Sequence, residues 1–308
     1  MDKRLIKIYS AALLFSALVG FSFISVKSMI GVATTLEILT YRYNFAFLGA
    51  LTIVLLKGKH ISFKHKEKKN LLYTAFFYIG FIILQAMGLI YTTSIVSGII
   101  FALVPIIAKI IATVFLGEIS TFIQNIFVLV SVGALIVMIL LNANEINANI
   151  IGIILLLISS TSMAVSNVYM RYVRSKYSPM EISFAITLIG FILFNFTTII
   201  VGIINNNIIN YFMVLKNPGF IFASAYLGIF CTLITAFLIS YMLANMEAVQ
   251  ATIFGNLSTA ISLIAGMVIL KEPLELYHII CTGLIILGVI GVSAFGKKKS
   301  NIIEGEQL

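Results

Sequence analysis

Ten apolar stretches, each long enough to cross a lipid bilayer, constrain the fold of this chain more than any other feature. They lie at 8–26, 38–56, 70–90, 95–116, 122–141, 150–170, 182–204, 219–241, 249–270 and 277–295. The hydrocarbon core of a bilayer is about 30 Å thick and is spanned by roughly 20 helical residues. Inside it every backbone N–H and C=O needs a partner within the protein, which favours helices. The sequence therefore predicts an all-α membrane protein of about ten transmembrane helices.

The composition indicates that lipid, and not water, surrounds the predicted helices. Hydrophobic residues make up 61% of the 308 and charged residues only 10%, whereas soluble domains average about 45–50% and about 25%. The two cysteines, Cys231 and Cys281, both lie inside apolar stretches, where free cysteine behaves as a small hydrophobic residue. We therefore predict a multi-pass protein of a bacterial inner membrane that has no disulfide framework.

The basic residues predict the orientation of the chain in the membrane. If the N-terminus is cytoplasmic, fifteen of the twenty Lys and Arg residues fall in cytoplasmic segments and three in outer loops. Because cytoplasmic loops carry the excess of positive charge in membrane proteins, both termini are predicted to be cytoplasmic. The net charge of +9 is explained by this topology and by contact with anionic lipid. We predict no nucleic-acid partner.

An internal repeat divides the chain into two halves. At a separation of 154 residues Glu118 aligns with Glu272, and each of these acidic residues closes an apolar stretch. Nearer the start of each half the separation is 144, and there Glu37 aligns with Glu181. The predicted units are a first repeat at 1–145, a second repeat at 146–296 and a cytoplasmic tail at 297–308.

Five spans in each repeat give the two repeats opposite orientations in the membrane, because five is an odd number. Inverted repeats are typical of secondary transporters, in which two half-structures rock about a site near the middle of the bilayer. The predicted architecture is therefore a 5+5 inverted repeat, and the predicted mechanism is alternating access.

Short motifs in both halves resemble the EamA branch of the drug/metabolite transporter superfamily. The segment 20–27 is similar to the first-helix motif of that family, and Arg42 is similar to its second-helix arginine. Pro105 with 117–120, and 271–274, resemble its repeated proline and Gly-Glu box, although Thr259 stands where the second proline is expected. The resemblance covers nearly the whole chain. It implies a secondary transporter of small metabolites, with export as the common direction.

Lys109 is the most prominent candidate for substrate binding. It lies in the fourth apolar stretch, roughly 6 Å from the middle toward the cytoplasm. A charge at this depth is costly, so we expect it to face the bundle interior or a wet cavity. Snorkelling to the cytoplasmic surface is the alternative. Pro105, one turn earlier on the same face, is expected to kink the helix and free a carbonyl group.

Polar residues on other spans complete the predicted binding site. The ninth span carries a polar face at the positions equivalent to the Lys109 face, and the first, third and sixth spans carry further polar residues. The candidates are Thr252, Asn256, Thr259, Ser22, Gln85, Asn167 and Tyr169. Hydrogen bonding between helices is the alternative role for each of them.

Four charged residues near the ends of spans are predicted to be gate or structural elements. Arg42 is expected to pair with Glu37, one to two turns earlier on the second span. Glu118 and Glu272 precede the next helices, where a carboxylate interacts favourably with a helix N-terminus. We therefore predict caps or gates at these positions and not ligand contacts.

The sequence lacks the motifs of several other functional classes. It has no GxxxxGK[ST] loop for nucleotide phosphates, no metal-ligand spacing and no catalytic constellation, so we predict neither an enzyme nor a cofactor. No Asp or Glu lies at mid-membrane, which argues against lipophilic cations as substrates. We predict a secondary transporter, and by resemblance an exporter, of a small zwitterionic or anionic metabolite such as an amino acid or derivative.

Alternatives stay open at this level. An exchanger or importer of a larger metabolite, such as a nucleoside derivative or vitamin, is the alternative within transport. A membrane-embedded enzyme or a lipid-handling protein is the alternative from another class. The expected partners are the metabolite and the lipid bilayer. Coupling to a proton or to a counter-substrate, and the oligomeric state, are left open.

Overall fold

The computed structural model describes residues 3–27, 29, 32–57, 68–91, 100–141, 149–205, 208–270 and 275–295, and all regular structure within these ranges is helical. Each of the ten apolar stretches overlaps one of ten helices. The helices are α1 (Lys3–Lys27), α2 (Thr35–Lys57), α3 (Lys68–Tyr91), α4 (Val104–Leu116), α5 (Phe122–Leu141), α6 (Ile150–Val173), α7 (Pro179–Ile204), α8 (Pro218–Asn245), α9 (Phe254–Leu270) and α10 (Leu276–Ala294). Short helical segments precede α8 and α9, at Ile208–Met213, Val214–Lys216 and Ala248–Thr252.

Seven of these helices, α1, α2, α3, α6, α7, α8 and α10, are long and apolar enough to cross a membrane. α4 and the segment Phe122–Met138 of α5 are shorter apolar helices. Large apolar side chains lie on the outside of the bundle: Leu56, Phe122 and Phe222 are 82%, 78% and 77% exposed. Because extensive apolar exposure to water is unfavourable, lipid must cover this surface.

Local sequence signals determine several helix ends. Ser178 and Glu181 form a capping box at the start of α7, so the first N–H groups of that helix find acceptors. Asn149 accepts a hydrogen bond from the N–H of Ile151 at the start of α6. Gly117 ends α4 with a φ of 65°, a left-handed conformation that glycine adopts most readily. Glu118 consequently follows directly after the end of α4.

Pro105 begins a helix and does not kink one. A turn at 102–103 precedes α4, and Pro105 lies in the first turn of that helix. Its missing N–H is not needed there, because the first N–H groups of a helix have no acceptor within the helix. The predicted kink is therefore wrong, and the break lies before the proline. The equivalent helix of the second repeat is also interrupted, at Ile253, between Ala248–Thr252 and α9.

The helices of the two repeats interleave. α3 packs against α6, α1 against α9, α5 against α10, and α2 against both α7 and α8. Exchanging the repeats converts the α1–α9 pair into α6–α4 and the α3–α6 pair into α8–α1, and both of these pairs are also in contact. The packing therefore has an approximate two-fold relation, and both repeats share the interior of the bundle.

Glycines permit the closest approach of α2 to its neighbours. A Cβ atom on Gly190 of α7 would overlap the ring of Tyr43, which lies on α2. On α8, Gly228 lies against the backbone of α2 at Arg42. Small residues at such positions are common between helices in lipid, because they let the two backbones approach. α2 is thus held tightly between α7 and α8 at Arg42 and Tyr43.

Candidate functional site

Arg42 reaches from α2 to the middle of α8. Its Nε donates to Oγ1 of Thr232 at 2.6 Å, and its Nη2 donates to the carbonyl oxygen of Cys231 at 3.1 Å. These two acceptors lie halfway along α8. Both are neutral, and among the described residues no carboxylate forms an ion pair with this half-buried guanidinium group.

A π-helical segment of α8 presents these acceptors. It comprises the nine residues Tyr226–Ile234. Thr232 donates from its hydroxyl to the carbonyl of Leu227 at 2.9 Å, and Thr235 donates to the carbonyl of Cys231 at 2.9 Å. π-helical segments depart from the usual hydrogen-bond ladder and occur frequently at functional sites. Here the carbonyl group of Cys231 accepts from both Thr235 and Arg42.

Two tyrosines complete a group that we call the Arg42 cluster, which consists of Arg42, Tyr43, Tyr78, Cys231, Thr232 and Thr235. Tyr78 of α3 lies near the side chain of Thr235 and within electrostatic reach of Arg42. Tyr43 is fully buried, and its hydroxyl has no hydrogen-bond partner among the residues that the structure describes. Buried polar groups are usually satisfied. The hydroxyl of Tyr43 is therefore a buried donor of the cluster that has no acceptor within the described residues.

An apolar cavity of about 270 Å³ lies between α2, α3 and α7, and Leu39, Ile83 and Phe194 are among its lining residues. Thr35, at the start of α2, also lines it, which places it toward the end of the bundle opposite the N-terminus. The ring of Tyr43 packs on the ring of Phe194, with centroids 4.9 Å apart. Phe194 therefore belongs both to the cavity wall and to the packing around the Arg42 cluster.

The end of the bundle that carries the N-terminus is closed by polar contacts. Glu118, after α4, forms an ion pair with Arg171 near the end of α6, and its other oxygen accepts from the N–H of Ala248 at 3.0 Å. Arg171 also donates to the carbonyl groups of Leu243, at 2.8 Å, and Met246. We call these five residues the basic-end cluster. It ties α4 and α6 to the end of α8 and to the segment before α9.

Further contacts extend this closure to other helices. Gln124 of α5 donates to the carboxylate of Glu247 at 3.0 Å. Arg4 of α1 donates to the side chain of Asn245, the last residue of α8, at 3.2 Å. Both contacts join the first repeat to the second. Polar contacts therefore tie the two repeats together at the N-terminal end of the bundle.

Lys109 has a neutral partner in this structure. It lies half-buried on α4, and its Nζ donates to Oδ1 of Asn125 on α5 at 2.6 Å. Asn256 of α9 is buried and donates to Oγ of Ser131, also on α5, at 3.4 Å. Lys109 and Asn256 thus contact different residues of the same helix, and neither of these two hydrogen bonds joins one to the other.

The remaining predicted binding residues are dispersed. Three of them donate to carbonyl groups about one turn earlier in their own helices: Ser22 to Val19 at 2.6 Å, Thr252 to Ala248 at 2.9 Å and Thr259 to Gly255 at 3.3 Å. Tyr169 stacks on Phe77 with ring centroids 6.0 Å apart. Asn167 is 2% exposed, and its Nδ2 has no acceptor within the described ranges. Gln85 lies half-buried on α3.

The ion pair predicted between Arg42 and Glu37 is wrong. Glu37 accepts from the N–H and the hydroxyl of Thr34, at 2.7 and 2.8 Å, because its position in the first turn of α2 makes it a helix cap. Glu118 does lie at a helix N-terminus, but at that of Ala248–Thr252 and not that of α5. Glu272 lies outside the described residues.

The sequence interpretation missed most of the Arg42 cluster, because Tyr43, Tyr78, Thr232 and Thr235 look like ordinary members of apolar stretches. The repeat contains a signal for two of them. Tyr78 and Thr232 are 154 residues apart and so occupy equivalent positions of the two repeats.

The described part of the chain contains no group of three His, Cys, Asp or Glu side chains that could hold a metal ion.

Comparison with known proteins relates the whole chain to transporters. The sequence profile of the EamA-like transporter family matches residues 6–140 and again 150–294. The uncharacterized transporter YcxC of Bacillus subtilis (strain 168) is 33% identical over 294 residues, covering 95% of this chain and 94% of that protein. An uncharacterized transporter of Archaeoglobus fulgidus is 26% identical over 271 residues, covering 88% and 92%. A solved crystal structure has the same fold, with a TM-score of 0.78 at 12% identity, covering 94% of this chain and 97% of the other.

Proposed function

Because this chain belongs to the EamA-like transporter family, we propose that it is a secondary transporter that exports a small zwitterionic or anionic organic metabolite by alternating access. The family and the seven membrane-length helices make it a multi-pass membrane transporter. The substrate class, the direction and the mechanism are our proposal. Amino acids and related carboxylic acids are the first substrates to test.

The topology that we propose has ten membrane crossings, with both termini in the cytoplasm and the two repeats inverted. The proposal is supported by ten helices that overlap the ten apolar stretches, seven of them of membrane length. Fifteen of the twenty basic residues fall on the side assigned to the cytoplasm. On this topology the basic-end cluster lies at the cytoplasmic end. The cavity lined by Phe194 lies toward the outer end.

The observation that carries the proposed mechanism is the closure of one end of the bundle by contacts between repeats. Glu118 of the first repeat binds Arg171 and Ala248 of the second. Alternating access needs two half-structures that separate at one end while they meet at the other. A closure of this kind, made of a few polar contacts, can form and break during each cycle.

The substrate class follows from the distribution of charge. The basic residues within the spans are Arg42 and Lys109, whereas Glu37, Glu118, Glu181 and Glu247 lie at helix ends. In the described part of the chain Glu118 forms an ion pair with Arg171, and neither Arg42 nor Lys109 takes part in it. Because buried cations are strongly favoured by a nearby negative charge, this interior suits a substrate that brings a carboxylate.

The proposal is tested by flux measurements in liposomes. Purified protein is reconstituted and assayed with labelled amino acids and, as matched controls, the amines that lack their carboxylate. We expect saturable, protein-dependent flux of at least one carboxylic acid and none of its matched amine. Flux of the amines alone would contradict the substrate class. Lipid movement between the leaflets without metabolite flux would favour a lipid-handling protein.

The topology is tested by labelling single cysteines with a membrane-impermeant maleimide in intact cells. The test positions are all exposed: Asn149 and Asn205 on the proposed outer side, and Lys69 and Ser175 on the proposed cytoplasmic side. We expect Asn149→Cys and Asn205→Cys to react in intact cells, and the other two to react only after lysis. Labelling of all four from one side would contradict the inverted repeat.

A further inference from the structure

The positively charged side chain of Arg42 is hydrogen-bonded only to uncharged groups among the residues that the structure describes. Its protein acceptors, Oγ1 of Thr232 and the carbonyl of Cys231, are both uncharged. In the described part of the chain no acidic residue forms an ion pair with it, and Glu37 is engaged with Thr34. Arg42 is half-buried, and a charge that is taken out of water is normally paired. We therefore expect its negatively charged partner to be a ligand that binds and dissociates.

The donor groups around Arg42 point to the same conclusion. The guanidinium group uses Nε and Nη2 in its contacts with α8, and neither of these two hydrogen bonds involves Nη1. The neighbouring hydroxyl of Tyr43 is buried without a hydrogen-bond partner in the same set of residues. An arginine offers five N–H donors in a planar fork that fits a carboxylate. The cluster therefore offers free donors to an anionic oxygen.

The position of the cluster in the repeat makes it suitable for a transported ligand. Tyr78 and Thr232 occupy equivalent positions in α3 and α8, 154 residues apart, and both lie beside Arg42. A group flanked by equivalent residues of both repeats lies near the axis that relates them, where transporters of inverted-repeat design bind substrate. At the separation of 144, Arg42 corresponds to Ile186, which is buried in the core. The second repeat therefore supplies no positive charge at the equivalent position, and the site is positively charged on one side only.

We propose that the Arg42 cluster is the anion subsite of the transporter: Arg42 binds the carboxylate of the substrate, and the hydroxyl groups of Tyr43 and Tyr78 donate to its oxygens. This inference rests on the proposed function and specifies which residues recognise the substrate. A single guanidinium neutralises a singly charged carboxylate and leaves a doubly charged phosphate with net negative charge. The single positive charge of the cluster is therefore matched by one carboxylate.

Cys231 provides a reporter for this subsite that needs no known substrate. Its carbonyl oxygen is 3.1 Å from Nη2 of Arg42, and its thiol lies within electrostatic reach of the guanidinium. Replacing the other cysteine, Cys281, by serine leaves Cys231 as the single thiol. The rate of its modification by anionic carboxyethyl methanethiosulfonate is compared with the rate for the cationic trimethylammonioethyl reagent. Both reagents enter through the same opening, so the ratio of the two rates reports the local charge when each rate is proportional to the reagent concentration.

We expect Arg42→Gln to lower the ratio of anionic to cationic modification at Cys231 by at least about tenfold. Lys69→Gln, which removes the same charge at an exposed position of α3, should leave the ratio unchanged. Arg42→Lys keeps the charge and should retain most of the preference. If Arg42→Gln does not fold, the ratio of anionic to cationic modification is measured at Cys231 in the otherwise wild-type protein and at a cysteine that replaces Lys69. We then expect the ratio at Cys231 to be about tenfold higher than the ratio at position 69.

Two outcomes would overturn the assignment. An equal ratio in wild type and Arg42→Gln would mean that Arg42 does not make the site attractive to anions. Absence of any modification of Cys231 would mean that the cluster never meets water and cannot receive a substrate. The modification ratio is measured without transport. The assignment of the anion subsite can therefore be wrong while liposomes still show flux, and it can be correct while liposomes show no flux of carboxylic acids. The two proposals are thereby separable.

Discussion

Lys109 and Arg42 are the basic residues inside the spans, and their surroundings differ. Arg42 contacts the backbone and a hydroxyl at the middle of α8, whereas Lys109 contacts the side-chain amide of Asn125, one turn into α5. The hydrogen bond of Lys109 can serve to hold α4 against α5. It can also hold the ammonium group in position for a substrate. Substituting each partner separately distinguishes these roles.

We predict that Lys109→Met remains inserted in the membrane but lowers transport of an acidic substrate tenfold or more, because a hydrogen bond to a charged group is worth about 1.5–3 kcal/mol. Asn125→Leu removes the same hydrogen bond and keeps the positive charge, so its effect should be much smaller. Initial rates in proteoliposomes provide the measurement. Equal losses of transport in the two variants would show that Lys109 only holds α4 against α5.

At the scale of residues, the sequence identified charged groups better than their partners. Arg42 could be singled out because a charge inside an apolar stretch is conspicuous, but its contact with Thr232 depends on the packing of α2 against α8, which has no local signal. Glu37 satisfies its own helix start through Thr34, so it is not available to Arg42. A cap one turn away competes successfully with a more distant ion pair.

The contact between α5 and α10 shows how strongly a helix pair depends on one missing side chain. A Cβ atom on Gly291 would overlap the ring of Phe127, and one on Gly288 would overlap Ser131. Gly283, on the same helix, has nothing within 4 Å of the equivalent position. These glycines of α10 therefore differ in function although they look alike in the sequence.

We predict that Gly291→Leu lowers the thermal stability of the detergent-solubilised protein, since forcing a side chain into a filled contact costs about 1–3 kcal/mol. Gly283→Leu adds the same side chain to the same helix without a clash and should leave the melting temperature close to that of wild type. Thermal melting of both variants, followed by size-exclusion chromatography, provides the comparison. A larger loss in Gly283→Leu would contradict the α5–α10 packing.

At the scale of elements, hydrophobic length predicted where helices occur, and local irregularities escaped it. The stretch 219–241 lies within α8 (Pro218–Asn245), but nothing in its composition indicates the π-helical segment Tyr226–Ile234. Within that segment Thr232 contacts Arg42, which lies on another helix, and such a contact leaves no local trace in the sequence. Pro105 signals an irregularity correctly, yet its position in the first turn could not be distinguished from a kink by periodicity alone.

At the scale of the whole molecule, the repeat predicted two related halves but not how they combine. Five spans in each half could form two separate bundles side by side. In the structure the halves interleave, so that α1 packs on α9 and α6 on α4. Contacts between the halves therefore surround the interior and close its cytoplasmic end on the proposed topology. Any movement of one half against the other must open and close these contacts.

The basic-end cluster offers a direct test of such movement. The carboxylate of Glu118 accepts from the N–H of Ala248 at 3.0 Å, so cysteines at these two positions should lie within reach of a short cross-linker with a reducible spacer. We predict that cross-linking the Glu118→Cys/Ala248→Cys protein lowers its flux below about a tenth of the untreated value, because the closed end can no longer open. Reductant should restore the flux of the same sample, and either single-cysteine variant treated identically should be unaffected. Undiminished flux in the fully cross-linked protein would show that this closure is a static part of the scaffold and that the transport cycle opens the bundle elsewhere.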